Sequence, residues 1–345
     1  MRIPTALGLA VALTWLVGSV GPRAAGCDAV GNVRFICGQL APEDLAVVPG
    51  GAWVLSSGMA ANGAIRAIHL RDKVTTVVFP AAAAKERLDK KTYPSCPGPI
   101  DLTQRDKFRA HGLYLRPGRS SVHQLFMVHH GTRESIEVFE LDARATPPVL
   151  TWVGCAVAPD PIGLNSVVGL PDGGFVTTNF ANRGADAAAF TRIMAGEING
   201  ELWEWHTDSG WKKVPGSEAA GPNGIEISND LKTLYIGGWG SQSVIRLSRG
   251  QTPVKKDTVN VGFRVDNVRW APDGTLLAAG QGGGTPPAPT SNVARVDPKT
   301  LKFEELVRHA NSDTFASGTV AIQMGNEIWV GAVGGDRIGI FPAKR

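Results

Sequence analysis

Six stretches of this chain repeat one arrangement at one offset. Each has a polar residue, a short apolar run, a tight turn, and then a second β-type run. The stretches begin at Glu43, His111, Asn165, Asn223, Asp266 and Gly318; six residues on stand Pro49, Pro117, Pro171, Asn229, Pro272 and Met324, which open the turns. P-D-G, P-G-G and N-D segments at these points suit hairpins, because Asp, Asn and Gly tolerate the backbone angles a tight turn demands. The copies lie about 55 residues apart, enough for a four-stranded blade of roughly 40–50 residues plus its loops. The 42 Gly and 23 Pro interleave with Val-, Ile- and Leu-rich runs, a texture of short strands rather than helices. The expected fold is all-β: a six-bladed β-propeller with a central channel, formed by residues 27–345 as one domain.

The first strand of each blade lines the channel of such a fold. Constant register therefore brings the leading residues to one rim: Glu43, His111, Asn165, Asn223, Asp266 with Asn267, and Gly318. Polar residues often start strands, which accounts for one or two of these but poorly for five of six at one offset. Glu43, Asn165, Asn223, Asp266 and Asn267 offer carboxylate and amide oxygens and no thiolate. Hard oxygen donors select Ca²⁺ or Mg²⁺, and five protein oxygens suit the larger, more flexibly coordinated Ca²⁺. His111 shares the rim, and His130 ends the next strand of the same blade. An imidazole there could take a proton from an attacking water while a second orients it. His129 and His130 are strand neighbours on opposite faces, so only one can face the channel. His69, His123, His206 and His309 lack such a context. G-x-S-x-G, H-E-x-x-H and phosphate-binding glycine loops are missing from the sequence.

The first 26 residues read as a signal peptide. Met1-Arg2 is basic, residues 3–21 are uncharged, and Ala24-Ala25-Gly26 precedes Cys27 as a small-residue cleavage site. The expected location is therefore periplasmic or extracellular, with no transmembrane span in the mature chain. A lipid anchor on Cys27 is the competing reading, but it would strand an odd thiol. Cys27, Cys37, Cys96 and Cys155 make two disulfides the expectation in an oxidising compartment. Of three connectivities, Cys27–Cys37 with Cys96–Cys155 is favoured because it ties short local segments. A net charge of +4 without a basic block argues against a nucleic-acid partner. Between the third and fourth copies an Ala-rich stretch suggests a short helix before a strand around Leu202–Trp205, near the channel mouth, where it could act as a lid. Residues 279–291 lack periodicity and read as a mobile loop.

The segments PEDLAVVPGGAWVLSSG, FRAHGLYLRPG, PNGIEIS and VDNVRWAPDG resemble the paraoxonase/arylesterase group, which belongs with the gluconolactonase (SMP-30) and strictosidine-synthase-like propellers. The resemblance implies a calcium-dependent six-bladed propeller. It carries the catalytic calcium ligands onto Glu43, Asn165, Asn223, Asp266 and Asn267, and the histidine pair onto His111 and His130. It further implies a hydrolase of lactones and often aryl esters, acting on a small-molecule lactone or ester substrate. Where paraoxonases hold a second, structural Ca²⁺ partly through a carboxylate after the third-blade Asn, this chain has Ser166, although Asp44 is kept; a second ion near Asp44 is therefore doubtful. The third-blade lid region also differs, so substrate preference does not carry over. A ligand- or partner-binding propeller without turnover, and strictosidine-synthase-like carbon–carbon bond formation, are the competing functions. Oligomeric state is not legible.

Overall fold

The computed structural model describes residues 26–283 and 288–343; the expected signal peptide, apart from Gly26, lies outside the described residues. Six antiparallel sheets follow one another along the chain, five of four strands and one of five. Blade 1 runs Leu45–Val47, Trp53–Ser56, Ile65–His69 and Thr75–Phe79. Blade 2 runs Arg109–Arg116, Val122–His130, Ser135–Asp142 and Val149–Val157, with Lys85–Glu86 added in parallel at its outer edge. Blades 3 to 6 start at Leu164–Gly169, Pro222–Ile227, Arg264–Trp270 and Gly318–Met324.

Each innermost strand packs against that of the next blade, and the last packs against the first, closing a ring around the channel. The fourth place in blade 6 is taken by the early strand Arg34–Cys37, antiparallel to Arg337–Pro342 with Arg34 opposite Ile340. The two ends of the described chain thus share one sheet, which removes the free edge that a linear row of blades would expose.

Burial follows position. Pro222–Ile227 is buried throughout, whereas the outer strand Lys256–Asn260 of the same blade is almost wholly exposed. The apolar core lies between blades: Leu113, Phe126, Phe139, Trp152 and Phe175 form part of one cluster spanning blades 1 to 3. Each such side chain contributes about 1.5–3 kcal/mol by leaving water.

Cys27 pairs with Cys37 and Cys96 with Cys155, the connectivity favoured from spacing. The second bridge spans 59 residues, so it removes more chain entropy from the unfolded state than the 10-residue one. The Ala-rich stretch forms the helix Ala187–Met194, capped by the Asp186 carboxylate accepting from Ala189 N, and the following strand is Glu201–His206.

The reading of residues 279–291 as a loop is corrected at its two ends, where residues 279–282 and 290–291 lie in strands. Strands Leu276–Gly282 and Thr290–Val296 pair from Leu276↔Val296 to Gly282↔Thr290. Ala, Gly and Gln carry little hydrophobic alternation, yet Ala278 and Ala279 are fully buried because small side chains let this strand pack closely.

Candidate metal centre and histidine relay

In five of the six innermost strands the pairing register slips, and the slip falls on the leading residue in four and directly after it in the fifth. The irregularities lie at Ala110/Leu113, Leu164/Val167, Pro222/Ile225, Val265/Asn267 and Gly318/Val320. A bulge sets two residues against one and re-aims the side chains around it. Regular pleating would send Asp266 and Asn267 to opposite faces; the bulge between them helps both serve the channel. Two residues after leading positions are glycines for a steric reason. A Cβ on Gly112 would lie 2.5 Å from Asn165 O, and one on Gly224 2.5 Å from Asn267 Cα. Neighbouring strands can approach this closely only without a side chain.

The five expected ligands are all buried: Glu43, Asn165, Asn223, Asp266 and Asn267 are between 1 and 8 % exposed. Four of their oxygens, Glu43 Oε2, Asn165 Oδ1, Asn223 Oδ1 and Asn267 Oδ1, are buried without any hydrogen-bond partner. Asn267 Nδ2 donates to Glu43 Oε1 at 2.7 Å, which uses the amide nitrogen and leaves its oxygen free. A buried acceptor left unpaired costs about 1–3 kcal/mol, so four orphans drawn from one five-residue set demand a partner. A hard cation fits: the orphans are all oxygens, and the set has two carboxylates to balance a dication. Among the described residues no cluster of three or more His, Cys, Asp or Glu is arranged to hold a metal. The present set is of another kind, with amides as three of its five members.

The carboxylates of the set repel one another. Burial, together with the nearby Glu43 carboxylate, pushes the Asp266 carboxyl well above its ordinary range, only partly offset by Gln281. Gln281 Nε2 donates to Asp266 Oδ2 at 2.6 Å and to Gly318 O at 2.8 Å, while its Oε1 accepts from Trp239 Nε1 at 2.8 Å. The indole thereby connects to the Asp266 carboxylate through one amide.

Beside the ring runs a chain of hydrogen bonds. His111 Nε2 lies 3.4 Å from Glu43 Oε2, and His111 Nδ1 lies 2.8 Å from His130 Nε2. His130 Nδ1 lies 2.8 Å from Glu134 Oε2, whose other oxygen accepts from Leu164 N at 2.7 Å. Donor logic fixes the neutral tautomers. Glu134 accepts, so His130 carries its proton on Nδ1; His130 Nε2 then accepts from His111 Nδ1–H, leaving His111 Nε2 as a lone pair facing the ring. Burial works to lower the His111 pKa, but the adjacent Glu43 carboxylate outweighs it and holds the group above its ordinary value.

His129 takes the other face. It is fully buried, stacks on Phe108 at 5.1 Å and sets Nδ1 3.2 Å from Arg109 O. The remaining histidines are peripheral: His69 bonds Asp72, His206 bridges Asp172 and Glu204, His123 accepts from Gly118 N, and His309 packs on Phe341.

One level deeper in the channel is Arg269, about 6 % exposed. Its Nη2 donates to Asp44 Oδ2 and, at 3.0 Å, to Leu113 O; Nη1 donates to Val268 O at 2.8 Å and lies 3.6 Å from Glu226 Oε1. Burial pushes the Glu226 carboxyl up to about 7 despite Arg269 beside it. Glu134, Gln281 and Arg269 were not singled out from the sequence. Glu134 stands in a turn, Gln281 in the stretch read as a loop, and Arg269 between two apolar-looking neighbours, so no repeat offset marked them.

The architecture resembles solved structures over almost its whole length. A luciferin-regenerating enzyme is 14 % identical with a TM-score of 0.54, covering 90 % of this chain and 94 % of that one. A proposed gluconolactonase is 13 % identical with a TM-score of 0.54, covering 93 and 96 %. A catalytically inactive virginiamycin B lyase from Staphylococcus aureus with quinupristin is 15 % identical with a TM-score of 0.51, covering 90 and 99 %. At such identities the likeness is one of fold. No family model and no curated protein matches the sequence.

Proposed function

We propose that this chain is an exported, Ca²⁺-dependent hydrolase of lactones or aryl esters. The observation that carries the reading is a set of four orphaned, buried oxygens on the leading residues, one of which lies 3.4 Å from the imidazole of a three-member relay. Glu43, Asn165, Asn223, Asp266 and Asn267 would hold the ion. When bound, Ca²⁺ supplies a Lewis acid for the substrate carbonyl and positive charge for the oxyanion that forms on attack.

The protein's own groups handle the proton. His111 Nε2 takes a proton from water as the water oxygen adds to the carbonyl carbon. His130 Nε2 accepts from His111 Nδ1 and steadies the imidazolium, while Glu134 keeps His130 in the accepting tautomer. The proton then passes from His111 Nε2 to the departing alkoxide oxygen, which balances the step. A purely binding propeller could use the oxygen ring, but nothing in binding requires the ordered sequence Glu134–His130–His111. The two disulfides support an oxidising compartment; among the described residues no helix is long and apolar enough to cross a membrane.

The test is a panel of lactones and aryl esters assayed with the purified protein, with and without a calcium chelator. Turnover that disappears with chelator and returns with added Ca²⁺ is expected. No turnover on any member in saturating Ca²⁺ would sink the reading.

A further inference from the structure

Glu43 and Asp44 are consecutive carboxylates, both buried in the channel, yet they meet opposite fates. Glu43 keeps an unpaired oxygen. Asp44 is fully satisfied: Oδ1 accepts from Leu45 N at 2.8 Å, and Oδ2 accepts from Leu113 N at 2.6 Å and from Arg269 Nη2. The guanidinium sits where oxygens of four blades converge: Asp44 and Leu45 O from blade 1, Leu113 O from blade 2, Glu226 from blade 4, and Val268 O from its own blade 5. Two carboxylates and several carbonyls around one point form a hard-oxygen cage of the kind a divalent cation takes. A cavity of about 260 Å³, lined by Leu45, Leu113, Glu226, Trp270 and Arg269 itself, adjoins the cage.

We propose that the Arg269 guanidinium is the resident cation of this inner cage, filling the position a second divalent ion would need, so that the chain takes one Ca²⁺ ion instead of two. A single positive charge on Arg269 needs less negative charge around it than a dication does, and its forked N–H groups match the carboxylates of Asp44 and Glu226 and the surrounding carbonyls. A guanidinium also keeps its charge under all ordinary conditions, so the inner joint between blades holds without any metal supply. This inference goes beyond the hydrolase reading and does not depend on turnover.

The experiment is elemental analysis of calcium per full-length chain after equilibration with Ca²⁺ and removal of free ion, paired with melting curves across a calcium series. Wild type is expected to hold one ion. Arg269→Ala is expected to hold two, with a melting temperature that keeps rising at calcium concentrations where wild type is already saturated. Arg269→Lys, which keeps a cation, is expected to hold one. Two ions in wild type or in Arg269→Lys overturn the inference, and so does a folded Arg269→Ala that holds no more ions than wild type. Should Arg269→Ala not fold at any calcium concentration, the counts for wild type and Arg269→Lys decide. Zero ions in wild type with one in Arg269→Ala would instead sink the outer site of the hydrolase reading while supporting the inner cage.

Discussion

The upper and lower levels of the channel differ in how they are finished. The upper level gathers Glu43, Asn165, Asn223, Asp266 and Asn267 and leaves four of their oxygens without partners. The lower level gathers Asp44, Glu226 and three backbone carbonyls and closes them all around Arg269. Both levels are built by the same innermost strands, so the backbone does not separate them; one arginine does. An unsatisfied cluster costs stability and persists where something else completes it, whereas a satisfied one is a structural joint. On the proposed reading, the contrast separates a place for a ligand from a fastening.

The sharpest way to break the contrast is to damage the upper level. Asp266→Ala removes one of two charged oxygen donors. It is expected to abolish hydrolysis, by more than about 10³-fold, and to erase the Ca²⁺-dependent part of the melting temperature, because binding free energy adds directly to folding free energy. Full turnover in this variant would show that the ring is not the reaction centre.

Next comes His111→Gln, which leaves all five oxygen donors in place. Calcium content and melting temperature are expected to stay at wild-type values while lactone hydrolysis falls by roughly 10²–10⁴-fold. Activated aryl esters should lose least, since a good leaving group needs less help from the base. Unchanged lactone turnover would move the base elsewhere, with Glu43 the next candidate.

His129 supplies a control outside both levels. Burial lowers its pKa to about 4 in the folded protein, with the nearby Arg109 carbonyl only partly countering this, against an ordinary 6.5. The unfolded chain therefore binds a proton that the folded chain refuses. Stability from this residue is complete above about pH 6.5 and is lost as pH falls toward 4, by up to about 3 kcal/mol. His129→Phe should flatten urea-melt stability over that pH range and leave calcium content untouched. An unchanged slope would mean that other groups dominate acid unfolding.

The smallest effect belongs to Glu134→Gln. The amide oxygen can still accept from Leu164 N, but the charge behind His130 is gone. Turnover is expected to drop by about 10-fold, with a shifted pH–rate profile and no change in calcium binding. A loss as large as that of His111→Gln would make Glu134 an equal partner in the proton transfer; no loss and no shift in profile would make it a peripheral cap.

Legibility in the sequence followed the repeat. The offset from leading residue to turn is fixed by the length of the innermost strand, and so Glu43, His111, Asn165, Asn223 and Asp266 could be found by counting. Asn267 came with them only as the neighbour of Asp266; that both serve the channel depends on a bulge, which leaves no mark in composition. Gln281 holds Asp266 from the second strand of blade 5, in a run of Ala and Gly whose small size hid the strand itself. Arg269 reads in sequence as a charge amid Val268 and Trp270, the pattern of an ordinary alternating strand. Its meaning depends on four blades meeting, which is a property of closure rather than of any local stretch.

Closure has a further consequence for how the molecule comes into being. Glu43 and Asn267 are joined by a hydrogen bond across 224 positions, and the Thr319 hydroxyl, from blade 6, bonds Glu43 O across 276. Contacts this distant in sequence form late, after the loop-closure entropy of nearly the whole chain has been met. The strand Arg34–Cys37 must wait for Arg337–Pro342 before it has a partner. Until then the upper ring has no geometry, and a chain stalled at five blades would present scattered polar residues with nothing to coordinate. On the proposed reading, competence at the channel mouth would arrive with the final strand, and acquisition of activity would time the end of folding.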